Sequence, residues 1–209
     1  DNAFGSSSAK HFEDGGKHYL LVANYWDGNT TAVDSLLYEI HSGSKVTLSE
    51  AQRIPSHAAY KWTRCPTTSS SSMFVLTTFS GGTTIFEWNS TRQQLIELQV
   101  IPTQGATSSQ CFGLNGSTYL GISQFFDRDA FSHSVDSVLF RWNGTKFQPY
   151  QTFPGMGARD FQFFDLDSEY FFVSIAYEMV DYTAIYAWNS DSALFEEYQR
   201  LPTNHATSS

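Results

Sequence analysis

A unit of about 50 residues, written four times, constrains this 209-residue chain more than any other feature. Four prolines each follow an apolar residue, as Ile54-Pro55, Ile101-Pro102, Phe153-Pro154 and Leu201-Pro202, at spacings of 47, 52 and 48 residues. A Gln stands three places before each Pro (Gln52, Gln99, Gln151, Gln199) and an Ala four places after it (Ala59, Ala106, Ala158, Ala206). Upstream of each runs an apolar-aromatic stretch: Leu37 to Ile40, Ile85 to Trp88, Leu139 to Trp142 and Ile185 to Trp188. Agreement at so many offsets makes one structural unit, copied, the simplest account of the chain.

Each copy reads as short strands and tight turns. In the third unit Gln110–Leu114, Tyr119–Phe126, Ser137–Trp142 and Phe147–Phe153 are predicted strands, turned by Asn115-Gly116 and Asn143-Gly144. The fourth repeats this with Phe161–Phe164, Tyr170–Tyr177, Thr183–Trp188 and Phe195–Leu201. β-Branched and aromatic residues dominate these runs and helical periodicity is absent. Four antiparallel strands per repeat predict an all-β fold, a β-propeller. The expectation is one domain over residues 1–209, with repeats at about 10–59, 60–106, 107–158 and 159–206. Both ends carry the same segment, Gly5 to Phe12 matching Gly105 to Phe112, and Ala206 to Ser209 matching Ala106 to Ser109. That overlap suits a four-bladed ring, or half of a larger ring made by a homodimer, so that no sheet edge stays open.

Composition narrows the function classes. Aromatics at 16% and charged residues at only 16% exclude a disordered chain, which is poor in the first and rich in the second. No apolar run nears the roughly 20 residues of a bilayer-spanning helix, so no membrane insertion is expected. Twelve basic against 21 acidic residues leave a net charge of −9, which disfavours a nucleic acid partner. Asp1 follows no leader and reads as the start of a mature chain. Asn29, Asn89, Asn115 and Asn143 each begin an N-glycosylation sequon, pointing to a secreted, extracellular protein. Cys65 and Cys111 match no zinc or redox spacing and are either one disulfide or two buried thiols.

The segments Tyr19 to Gly28, Val138 to Gly144, Phe147 to Gln151 and Gly157 to Phe164 resemble the epilepsy-associated repeat family, also called EAR or EPTP repeats. The similarity spans nearly the whole chain and is strongest in the first and third units. It implies a secreted β-propeller that recognises proteins or glycans outside the cell, with no established enzymatic activity. The family's propellers are described as seven-bladed, whereas four units stand here.

Candidate sites come from equivalent positions in the repeats. Asp27, Gly81, Asp127 and Glu178 occupy the end of the second strand, and three of the four are acidic. Asp27, Asp127 and Glu178 could hold Ca²⁺ in a central channel, as some family propellers are thought to do; the competing reading is turn chemistry. Just before them, Asn24, Thr78 and Gln124 are polar, beside the aromatics Tyr25, Phe79 and Phe125. Asn24, Tyr25, Trp26 and Asp27 in the first unit, with Gln124, Phe125, Phe126 and Asp127 in the third, form candidate ligand-binding sets. An aromatic face covers sugar C–H groups while amides and carboxylates satisfy hydroxyls. The bland alternative is that these aromatics pack between blades and the amides bond backbone. Trp88, Trp142 and Trp188 recur at the third strand and read as core. No Gly-x-Ser-x-Gly, His-Glu-x-x-His or phosphate-cradling glycine loop occurs. A pair of hydrolytic carboxylates from different blades stays open. The expected function is lectin-like glycan binding, with protein adhesion second and a glycoside hydrolase third.

Overall fold

The computed structural model describes residues 5–66, 72–154, 157–176 and 182–203. Sixteen strands form four antiparallel sheets, each pairing its own strands in chain order. The first sheet comprises β1 (Ser6–Asp14), β2 (Lys17–Asn24), β3 (Ser35–His41) and β4 (Thr47–Ile54). The second holds β5 (Ala59–Cys65), β6 (Met73–Thr78), β7 (Thr83–Asn89) and β8 (Gln94–Ile101). The third holds β9 (Ala106–Leu114), β10 (Ser117–Gln124), β11 (Ser137–Trp142) and β12 (Phe147–Phe153). The fourth holds β13 (Ala158–Leu166), β14 (Glu169–Ala176), β15 (Tyr182–Asn189) and β16 (Leu194–Pro202). β11 and β12 have the expected bounds, while β10 stops two residues before the predicted Phe126. Residues 1–103 and 104–209 are two compact units, each containing two sheets. No helix long and apolar enough to cross a membrane occurs among the described residues.

Local chemistry sets the hairpins. The turns Gly15-Gly16, Asn115-Gly116 and Asp167-Ser168 all place both central residues at positive φ, matching the right-handed twist of the flanking strands. Every sheet then breaks its register at the same two places. One shift falls between the first two strands, at Ser6/Ser8, Ala59/Lys61, Ser123/Gln124 and Ala158/Asp160. The other falls between the last two, at Leu37/Tyr38, Ile85/Phe86, Leu139/Phe140 and Ile185/Tyr186. Such bulges bend a strand and sharpen its twist.

In each unit, two sheets share a core. Phe12, Tyr19, Leu21, Leu37 and Ile54 of the first sheet pack with Trp62, Phe74, Leu76, Phe86, Trp88 and Leu95 of the second. Phe112, Leu114, Tyr119, Leu139 and Phe153 of the third meet Phe161, Phe172, Tyr186 and Phe195 of the fourth. Two of the recurring tryptophans, Trp88 and Trp188, belong to this packing. Trp88 lies 5.0 Å from the Phe12 ring, and Trp188 lies 5.1 Å from that of Phe195.

The Gln that precedes each Pro acts here too. Gln52 donates from Nε2 to the Leu95 carbonyl (3.0 Å) and accepts the Leu95 N–H at Oε1 (2.9 Å). Gln151 makes the same pair with Phe195, at 2.6 and 2.9 Å. A side-chain amide with both groups paired on one backbone residue ties the last strands of neighbouring sheets together without leaving a buried polar group unpaired. Cys65 and Cys111 are both buried and disulfide-bonded.

Candidate binding loops

The loop after the second strand carries both candidate ligand-binding sets, residues 25–34 in the first sheet and 125–136 in the third. A glycine in the left-handed region anchors each: Gly5 (φ 68) accepts the Tyr25 N–H at 2.9 Å, and Gly105 (φ 53) accepts that of Phe125 at 3.0 Å. A Cβ on Gly105 would lie 2.3 Å from the Phe126 carbonyl oxygen, and one on Gly5 would lie 2.6 Å from that of Trp26. Only glycine fits both the dihedral and the space. In the second sheet Ala58 holds the same conformation (φ 50), and its O accepts the Phe79 N–H, but there the loop is only Phe79–Gly82.

The polar positions close these loops. Asn24 is buried; its Nδ2 donates to the Asp34 carbonyl at 2.9 Å, and its Oδ1 accepts from Ser6 Oγ. Gln124 Nε2 donates to the Asp136 carbonyl (2.5 Å), and its Oε1 accepts the Gln104 N–H (2.5 Å). Thr78 Oγ1 bonds the Gly82 carbonyl in the same role. In all three sheets the acceptor is the residue just before the third strand. The amides thus tie the two ends of each loop.

The acidic positions are likewise engaged. Asp27 Oδ1 accepts the Asn29 and Thr30 N–H groups, both at 2.8 Å. Asp127 Oδ1 accepts those of Asp129 (2.9 Å) and Ala130 (3.0 Å). These are Asx turns. The Thr30 and Asn29 backbone bonds hold the Asp27 carboxyl below its ordinary range. Glu178 lies outside the described residues. Among the described residues no three His, Cys, Asp or Glu side chains converge on a metal position.

The aromatic members divide. Tyr25 packs edge-on against Tyr60, with centroids 5.2 Å apart. Phe125 is buried beneath the Arg159 guanidinium, whose carbon lies 3.5 Å from the ring centroid. Trp26 and half-buried Phe126 face outward, Trp26 at 47% exposure. Two loop residues went unforeseen. Phe131 is 85% exposed at φ 51, with Phe126 edge-on at 5.9 Å. His133 pairs its Nδ1 with the Phe125 carbonyl (2.8 Å), and its own carbonyl accepts the Gly157 N–H (2.9 Å). The Asp127–Ser132 backbone pair, bonded in both directions, pinches the loop that presents Phe131. Only the greater length of this loop distinguished it in sequence.

A family model described as the EPTP domain matches residues 146–189. The human thrombospondin-type laminin G domain and EAR repeat-containing protein is 28% identical over 200 residues, covering 90% of this chain and 27% of that protein. Human leucine-rich glioma-inactivated protein 1 is 25% identical over 140 residues, covering 66% of this chain and 23% of that protein. The chain thus spans about a quarter of the length of these curated relatives. Among solved structures, a Bacteroides uniformis protein provisionally named a 6-phosphogluconolactonase superposes with a TM-score of 0.70 at 15% identity, covering 96% of this chain and 55% of that one. The exo-β-1,3-galactanase of Phanerochaete chrysosporium gives 0.60 at 10% identity, covering 96% and 50%. At such identity these likenesses speak for the propeller-type fold alone. The matched repeat, the EAR-named relative and the four alike sheets are what this chain has in common with EPTP/EAR-repeat proteins.

Proposed function

We propose that this chain is a non-enzymatic, extracellular recognition module that contacts a partner protein through its second-strand loops, foremost residues 125–136. The observation that carries this reading is Phe131, a large apolar side chain left 85% exposed on a backbone conformation that costs a bulky residue energy. Phe126 braces its ring and the Asp127–Ser132 pair fixes the loop beneath it. A rigid, solvent-facing aromatic loses little freedom on docking and is the kind of residue that anchors protein interfaces. Disulfide-bonded cysteines favour an oxidising compartment, and Asn29, Asn115 and Asn143 stand exposed on turns where a glycan meets no packing.

A lectin-like role is the second reading, carried by Trp26, exposed beside the ionised Asp27. It lacks the hydrogen-bonding half of a sugar site, because Asn24 and Gln124 are committed to backbone. One experiment separates the two. The immobilised chain is offered extracellular extracts with and without competing monosaccharides, and in parallel is read on a glycan array. Protein capture that survives sugar competition, is lost in Phe131→Ala and comes with a blank array supports the first reading. A defined glycan signal lost in Trp26→Ala, with no sugar-resistant capture, replaces it with the second.

A further inference from the structure

We infer that β8, the outer strand of the second sheet, takes an added strand from a partner protein. That strand is an extended segment of alternating apolar residues carrying one lysine or arginine, and it docks apart from the loops described above. The argument rests on equivalent positions of the outer strands, aligned on the recurring Gln52, Gln99, Gln151 and Gln199. An outer strand leaves one row of backbone N–H and C=O groups without a neighbouring strand, a template for pairing with another chain. Three of the four strands carry a guard against this. β4 and β16 each lay a salt bridge along the strand, Glu50 to Arg53 at 2.6 Å and Glu197 to Arg200 at 2.7 Å. β12 has Pro149 at the position of those glutamates, with no N–H to offer.

β8 has neither device. It keeps the glutamate as Glu97, but Val100 stands where β4 and β16 have arginine, so Glu97 has no ion pair among the described residues. Ile96 and Leu98 likewise stand where β4 has Ser49 and Ala51. Ile96, Leu98 and Val100 are 39%, 41% and 47% exposed. Exposure belongs to these positions of an outer strand, because Ser49, Ala51 and Arg53 are exposed too, although the first and second sheets share a core. What is particular to β8 is the chemistry placed there: three aliphatic side chains around one unpaired carboxylate.

The backbone fits the same reading. Leu95 offers its N–H and C=O away from β7, and the Gln52 amide takes both. Leu95 pairs with Trp88 and Glu97 with Phe86 without a break in register, so alternation turns the Glu97 backbone groups the same way. A strand added from Glu97 onward pairs with this edge, lays its apolar side chains on Ile96, Leu98 and Val100, and brings its cation to Glu97. A second copy of β8 suits the edge poorly, since it would bring another Glu97 and no Lys or Arg. The net charge of −9 likewise favours a basic partner.

The probe is a short capped peptide of alternating valine and threonine with a central lysine, beside the same peptide with a central glutamate. Each is titrated against the chain by fluorescence anisotropy at low salt. The lysine peptide should bind about threefold or more tighter than the glutamate peptide, a preference that Glu97→Gln removes. Val100→Arg installs the ion pair of β4 and β16 at an exposed position and should weaken binding about tenfold with melting unchanged. Hydrogen exchange on the wild-type chain needs no variant: the lysine peptide must protect amides of β8 and leave those of β12 as they were. Failure of both peptides to bind, equal binding of the two, protection elsewhere than β8, or indifference to Val100→Arg overturns the inference. Protection of β8 that grows with protein concentration alone also overturns it, in favour of a second copy.

Discussion

β1 and β9 begin alike, Gly5 to Phe12 against Gly105 to Phe112, and pair with β2 and β10 in the same register, Ala9 facing Val22 as Ser109 faces Ile122. Their surroundings differ. Ala106 to Ser109 are buried, while Ser6, Ser7, Ala9, Lys10 and His11 are exposed. Strand pairing is written locally, in turns and alternation. Burial is written by whatever packs on the finished sheet, and composition adjusts to it: Lys10 and His11 stand on the open strand where Gln110 and Cys111 stand on the covered one. Variation between copies is therefore a record of exposure, and only the variation left after exposure is accounted for speaks of function.

The sharpest way to break that contrast is to put one charge at both places. Ser109→Lys should cost about 3–5 kcal/mol, because an unpaired ammonium enters a closed site. Ala9→Lys should change stability by no more than about 0.5 kcal/mol. Denaturant unfolding of the two variants reads this directly, and equal losses would abolish the distinction. Next in size, Leu120→Ala, at a wholly buried leucine, should cost about 3 kcal/mol, and Leu20→Ala, its half-covered counterpart, under about 2 kcal/mol. Smaller again, Gln151→Ala should cost about 1–3 kcal/mol by unpairing Phe195 backbone groups, whereas Gln199→Ala in dilute solution should be close to neutral.

Titration sharpens the contrast at both ends of the pH scale. Asp27 is depressed below 3.8 by backbone bonds, so its contribution is complete above that value and fades as pH falls through its lowered folded-state pKa. Its NMR carboxyl titration should have a midpoint under 3.8, and loop amide shifts at Asn29 and Thr30 should follow it. Tyr186 in the core is pushed up to about 12, chiefly by burial. Its neutral form stabilises the fold fully below pH 10 and progressively less between 10 and about 12, a loss that Tyr186→Phe should remove.

Much of the architecture was legible in the residues. The Pro, Gln and Trp offsets gave four units, and alternating apolar runs with Asn-Gly turns gave four strands in each. The roles of individual polar residues were not. Asn24 and Gln124 read as candidate ligand contacts because they sit beside aromatics; their bonds to Asp34 and Asp136 cross loops of irregular length that no periodicity registers. The recurring Gln marked the repeat without revealing its task, since Leu95 and Phe195 lie 43 and 44 residues downstream. The paired bulges were hidden for the same reason: a one-residue register shift shows only against the partner strand. Phe131 and His133 differ from one another in role only through the left-handed turn that exposes the first and folds the second under Phe125.

The central claim is that a shared scaffold carries loops whose exposed differences make the contacts. Measuring partner affinity and melting temperature together for wild type and Phe131→Ala tests it most directly. The expected result is affinity at least about tenfold weaker, with melting unchanged, as for removal of an interface anchor. Binding that is unaffected, or that fails only in step with a fall in melting temperature, would contradict it.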